Sequence, residues 1–78
     1  MADPTTTIVA EIIARLDERD FHPFAIMLSD GARYEIPSRD HCTVTRLLRR
    51  IEIEHDDGSI THINPLHITK LELRKPAA

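Results

Sequence analysis

Apolar positions along this 78-residue chain change their spacing once, close to residue 22. Before that point, Ile8, Val9, Ile12, Ile13 and Leu16 fall on one face at helical spacing. Asp3 and Pro4 precede them as a capping acceptor and a residue suited to the first helical position. The spacing predicts a helix over about residues 4–19. Glu11 and Arg15 can pair one turn apart, and Arg15 and Arg19 suit the helix's negative end. Such a helix must pack on something, and its mixed polar side points the apolar stripe to a core rather than a membrane.

After "DFHP" the period becomes two. Phe24, Ile26 and Leu28 point one way, and Asp30-Gly31 supplies the positive φ of a tight hairpin. Tyr34 and Ile36 alternate with Arg33 and Glu35 in the return strand, which Pro37 stops. "HCTVT" reads as a short third strand. In "VTRLLRRI" the spacing of Val44, Leu47, Leu48 and Ile51 is helical while the flanks are β-like, so residues 45–50 read as a loop or a single turn. "IEIEHDDGSITHIN" is a hairpin whose turn length sets its register. A three-residue turn, Asp56-Asp57-Gly58 with Gly58 left-handed, aligns Ile51 and Ile53 with Ile63 and Thr61. Glu52 then faces His62 on the other side, and Ile60 points outward. Asn64 is a good cap and Pro65 a good first residue, so "NPLH" reads as one tight helical turn. Ile68, Leu71 and Leu73, spaced three and then two, imply a re-phased strand after it. The sum is a helix followed by five short strands with a single-turn corner before the last: one domain, 1–78, with β structure over about 23–73 and a frayed tail at 74–78.

Composition narrows the functional classes. Net charge is −3, which argues against wholesale electrostatic binding to nucleic acid but not against a local patch. Arg46, Arg49 and Arg50 form one such cluster, and Lys70, Arg74 and Lys75 another. Cys42 is the only cysteine, so no disulfide forms within the chain. The first residues lack the basic start and apolar run of a signal peptide, and no stretch approaches a membrane span. The expectation is a cytoplasmic domain that contacts no membrane.

Particular residues carry a resemblance. "IMLSDGARYEI", residues 26–36, is similar to the first signature of the Sm-like family (LSm and Hfq-like proteins), where an apolar strand meets a polar-Gly turn. Asp40 sits nine residues past Gly31, where that family often carries an Asp, and "LHITKLEL", residues 66–73, looks like the second signature. The chain also resembles short bacterial proteins with the pattern PFxIxLSDGRxYxI…HIxxIE. The resemblance implies a mainly β fold: an N-terminal α-helix and a five-stranded, strongly bent Sm-like or SH3-like barrel. It further implies a homo-oligomeric ring closed through strand edges, for which Ile60, His62, Leu71 and Leu73 are the candidate edge residues, and weak RNA binding through His67, Arg46, Arg49 and Arg50. Two departures bear on RNA. Leu66 stands where the Hfq-type pocket has Lys, and Cys42 falls near the position of its stacking aromatic.

Other chemistry is thinly supported by the residues. Five histidines beside Cys42 invite a zinc reading, but zinc sites gather about four ligands, usually in tight sequence pairs. Cys42 as a nucleophile needs a base and an oxyanion site, and "HDDG" lacks the staggered oxygens of a calcium loop. The expectation is a non-enzymatic assembly module without a cofactor. The reading of a different class is a protein-interaction adaptor with no nucleic-acid role, its open edge taking a partner's strand.

Overall fold

The computed structural model describes residues 4–45, 47 and 50–73. Helix α1 spans Pro4–Asp17, and Asp3, the expected cap, lies outside the described residues. Val9 and Ile12 are buried, and Ile8 and Leu16 pack against the core, so the stripe read from spacing faces inward. The helix stops two residues earlier than expected. Arg39 Nη2 donates to the Glu18 carbonyl at 2.8 Å, placing a cation at the negative end of the helix. The chain then turns so that Phe21 packs on the core. Arg39 also lies over the Phe21 ring, 5.9 Å from its centroid. Arg15 instead pairs with Glu18 at 3.0 Å and with Glu11 at 3.9 Å.

Six strands follow, one more than the pattern suggested: β1 Phe24–Leu28, β2 Arg33–Ile36, β3 Cys42–Thr45, β4 Arg50–Glu54, β5 Ile60–Ile63 and β6 Ile68–Leu73. All six lie on strand-like runs read along the sequence, of which the five-stranded sum takes two as one. Pro37 and a 3-10 turn at Arg39–His41 separate β2 from β3, so His41 belongs to that turn and not to the strand. The register Thr45↔Arg50 leaves residues 46–49 as the connection of a hairpin. Val44 and Ile51 face each other across it, so their helix-like spacing is a strand pair seen along the sequence. Of the loop only Leu47 is described; Arg46, Leu48 and Arg49 lie outside the described residues.

The strands form two three-stranded antiparallel sheets, β2-β1-β6 and β3-β4-β5. Among the described residues no ladder joins them into a closed barrel. Phe24, Ile26, Ile36, Cys42, Ile51, Ile53, Ile63, Ile68 and Ile12 make one core between sheets and helix, and no polar side chain among the described residues is buried in it. The β4–β5 hairpin has the expected register: Ile51↔Ile63, Glu52↔His62 and Ile53↔Thr61. Gly58, at φ 88°, is the left-handed residue of its three-residue turn. His55 N donates to Ser59 O at 2.8 Å, and Gly58 N to His55 O at 2.9 Å. The first hairpin has the same geometry. Leu28 N donates to Ala32 O at 2.9 Å and Gly31 has φ 92°, so its loop is Ser29-Asp30-Gly31.

The re-phasing in the last strand occurs inside β6 rather than at the corner. Met27 pairs with Lys70 but Leu28 with Ile68, which makes Thr69 a bulge. Its hydroxyl donates to the Met27 carbonyl at 3.1 Å. Ile68 and Leu71 both reach the core in this way, three residues apart. On the outer face of the same sheet, Ala25 is buried beneath a clasp. Arg33 reaches across it to Glu35 (2.8 Å) and Glu72 (3.1 Å), the residues that flank Ala25 on β2 and β6.

Three substitutions test this packing and its turn. Ile53→Ala opens a cavity in a well-filled core and costs about 2–5 kcal/mol, seen as a fall in thermal midpoint of at least about 10 °C for a domain this small. Ile60→Ala, on an exposed position of the paired strand, changes stability by less than about 0.5 kcal/mol. Gly58→Ala meets no neighbouring atom, yet forces a side chain into positive φ and costs about 1–2 kcal/mol in a denaturant titration.

Candidate functional site

Apart from Arg50, which begins the central strand β4, every candidate residue that is described lies on an outer strand or at the corner joining two of them. β5 is the last strand of its sheet and β6 the last of the other. Ile60 and His62 therefore sit on one open edge, and Leu71 and Leu73 on another. Leu71 is half-buried against the core, whereas Ile60 is 58 % and Leu73 46 % exposed. His62 points outward and lies 3.5 Å from Glu52 on β4.

The corner between β5 and β6 is the 3-10 turn Pro65–His67. Asn64 Oδ1 accepts from Leu66 N at 3.0 Å, and Asn64 O accepts from His67 N at 2.9 Å. Pro65 has no amide to leave unpaired and is buried under the turn. The sequence expectation of a capped single turn is therefore met. One further bond was not visible in the sequence: Ser29 N donates to His67 O at 2.7 Å, which pins the corner to the β1–β2 loop. Between them lies an open cleft of about 310 Å³ lined by Leu28, Ser29, Asp30, His62, Ile63, Asn64 and His67. His62 and His67 thus share one cleft. Asp30 contributes less than its position suggests, because its Oδ1 accepts from Ala32 N at 2.9 Å.

Of the four residues expected to contact RNA, His67 and Arg50 are described and exposed. The register Ile51↔Ile63 sets Arg50 at the end of its sheet where the chain enters the corner turn. The aromatic residues are two Phe and one Tyr. Phe24 is fully buried, while Phe21 and Tyr34 pack against the core. Among the described residues no exposed Phe or Tyr ring stands beside His67 or Arg50 on which a base could stack.

A second polar cleft, about 260 Å³, lies at the opposite end of the β3-β4-β5 sheet between Asp40, His41, Glu54, His55 and Asp56. His41 is held on both ring nitrogens, with Ser38 Oγ 2.7 Å from Nδ1 and Asp56 Oδ1 2.8 Å from Nε2. His55 Nε2 is 2.6 Å from Thr61 Oγ1. The His41–Asp56 contact fastens the Arg39–His41 turn to the β4–β5 hairpin. Among the described residues, no three His, Cys, Asp or Glu side chains converge as a metal site would require. Pairing across 15 residues between His41 and Asp56 leaves no local sequence signal.

Cys42 is more deeply placed than a half-buried strand residue. It belongs to the core cluster, and burial pushes its thiol up to about 11. Burial thus favours the protonated thiol over the thiolate. Asp57 moves the other way: the hydroxyl and then the amide of Ser59, at 2.6 and 2.9 Å, hold its carboxyl below the usual range.

Comparison with family models, with curated proteins and with solved structures finds no match to this chain.

The Cys42 shift has a signed consequence. The unfolded thiol ionises near 9 and the folded one near 11, so the unfolded state loses its proton first as pH rises. Stability is unaffected below about pH 9 and falls between about pH 9 and 11 by on the order of 2–3 kcal/mol. Denaturant titrations across that range should show this loss in the native chain and not in Cys42→Ala.

Proposed function

We propose that this chain is a non-enzymatic Sm-like assembly module, a small bent barrel that joins copies of itself through strand edges. In this reading β2 and β3 are two halves of one strand bent at Pro37–His41, which gives five strands in the order β6-β1-β2/β3-β4-β5. The two strands at the ends of that order, β5 and β6, adjoin in sequence through the Pro65–His67 turn.

One observation carries the proposal. β5 and β6 are held apart by the corner, each is the outer strand of its sheet, and each has an exposed apolar residue, Ile60 and Leu73. Unpaired strand edges are templates for another strand. Because the two edges differ, pairing β5 of one copy with β6 of the next is head-to-tail, and such a contact closes into a ring when the rotation permits. A core this small also gains from added burial between copies. A base-stacking RNA site is not part of the proposal, since the aromatic rings are committed to the core. The adaptor reading uses the same edges with a different occupant.

The state of assembly separates these readings. Native mass spectrometry and sedimentation should give a discrete closed oligomer that nuclease does not change. Ile60→Lys and Leu73→Lys each block one edge and should give monomers. Mixing the two single variants leaves one intact edge on each partner, so one-to-one complexes should form and grow no further. A native chain that stays monomeric at all concentrations overturns self-assembly and favours the adaptor.

A further inference from the structure

The large apolar side chains left exposed among the described residues are Leu47, Ile60, Leu66 and Leu73, and of these Ile60 and Leu73 lie on outer strands. The alternation of those two strands restricts how their edges can pair. On β5, Thr61 and Ile63 face inward, and Ile60 and His62 outward. On β6, Leu71 and Leu73 lie opposite the buried Ile26 and Phe24, while Lys70 and Glu72 share the outer face with Met27 and Ala25. An antiparallel contact that continues both faces can shift only in steps of two residues.

Two such registers lay most of β5 against β6. In one, His62 faces the partner's Lys70, Ile60 faces the partner's Glu72, and Ile63 meets the partner's Thr69, the bulged residue. It sets an imidazole against an ammonium and an isoleucine against a carboxylate, and both pairings are unfavourable. In the other, Ile63 faces the partner's Leu71, Thr61 the partner's Leu73, His62 the partner's Glu72 and Asn64 the partner's Lys70. The second register extends the core across the contact, because Ile63 is buried and Leu71 half-buried on the inner faces. Outside, it sets the histidine against a carboxylate.

We propose, resting on the edge assembly above, that β5 takes β6 of the next copy in the second register and that His62 makes this contact tighten as pH falls. His62 lies 3.5 Å from Glu52 on β4, and the register brings the partner's Glu72 to the same ring. Asp30 and His67 line the cleft beside it. From the partner come Lys70 and Arg33, which stand 3.9 and 3.1 Å from Glu72 within one chain, and Glu35 beyond Arg33. Carboxylates outnumber the fixed cations in this surrounding, so a proton on His62 is held more firmly in the contact than in the free chain. The assembled state therefore binds more protons, and it gains as pH falls through the range in which histidine charges, about 8 to 5.5. Backbone pairing and the contact of Ile63 with the partner's Leu71 hold at either pH.

Sedimentation over a range of concentrations should give a dissociation constant per contact about fivefold lower at about pH 5.5 than at about pH 8. His62→Gln should keep the weaker value at both, with a thermal melt that matches the native chain. Register is read separately by oxidising an equimolar mixture of His62→Cys and Glu72→Cys, which should yield a cross-linked pair. His62→Cys mixed with Lys70→Cys should not, since that diagonal, about 7–8 Å, exceeds the reach of a disulfide. Cys42 is buried and does not compete. A native chain that is monomeric at both pH values overturns edge assembly and this contact together. Assembly that is equally strong at both, or whose pH dependence survives His62→Gln, overturns the role of His62 and leaves edge assembly standing. Cross-linking through Lys70→Cys in place of Glu72→Cys likewise overturns the register alone.

Discussion

The hydrogen bond from the Ser29 amide to the His67 carbonyl, 2.7 Å, fixes where one sheet hands the chain to the other. Asn64 and Pro65 make the corner tight, but a tight turn alone could leave β6 in many directions. Tying it to the β1–β2 loop sets β6 beside β1, where the pairs Ile26↔Leu71 and Phe24↔Leu73 follow. With the corner held against the first sheet, β6 lies beside β1 while β5 stays with β4, and no ladder joins β5 to β6 among the described residues. The open edges and the cleft between His62 and His67 both follow from that one placement.

Around this constraint the core is built almost wholly from β-branched isoleucine, with Phe24 and Cys42. Isoleucine is stiff about χ1 and suits pleated surfaces, so a small number of side chains can fill the space between two sheets without a disulfide. Polar fastenings are kept at the periphery: Arg39 at the helix exit, the His41–Asp56 pair, and Arg33 closed over Ala25. Exposed ion pairs of this kind contribute little stability singly. Their value here is positional, because each joins elements that sequence separates.

Local chemistry made much of this legible from sequence. The α1 stripe, the Asp56-Asp57-Gly58 register and the capped corner all depend on residues a few positions apart, and all three appear as expected. The helix end was not legible for the same reason as the His41–Asp56 pair: each depends on a partner 15 to 21 residues away. The Thr69 bulge shows the difference clearly. Spacing revealed that the phase changes, whereas only pairing with Met27 and Leu28 shows which residue is extra. Among candidate residues, Ile60 was readable as outward because register alone decides it. The exposure of Leu47 was not, since helical spacing made it look like a partner of Val44 and Ile51.

The order of strands also bears on how the chain acquires its shape. The β3-β4-β5 sheet is made of neighbours along the sequence, closed by short loops whose entropy cost is low. The β2-β1-β6 sheet is not: β1 has one local partner, and its other partner lies more than forty residues downstream. During synthesis Phe24 and Ile26 therefore emerge long before residues 68–73 can cover them, and α1 waits with them because it packs against the corner turn and β6. Docking of the last strand therefore closes the longest loop of the fold, and the nascent chain's exposed apolar surface belongs to the segment made first.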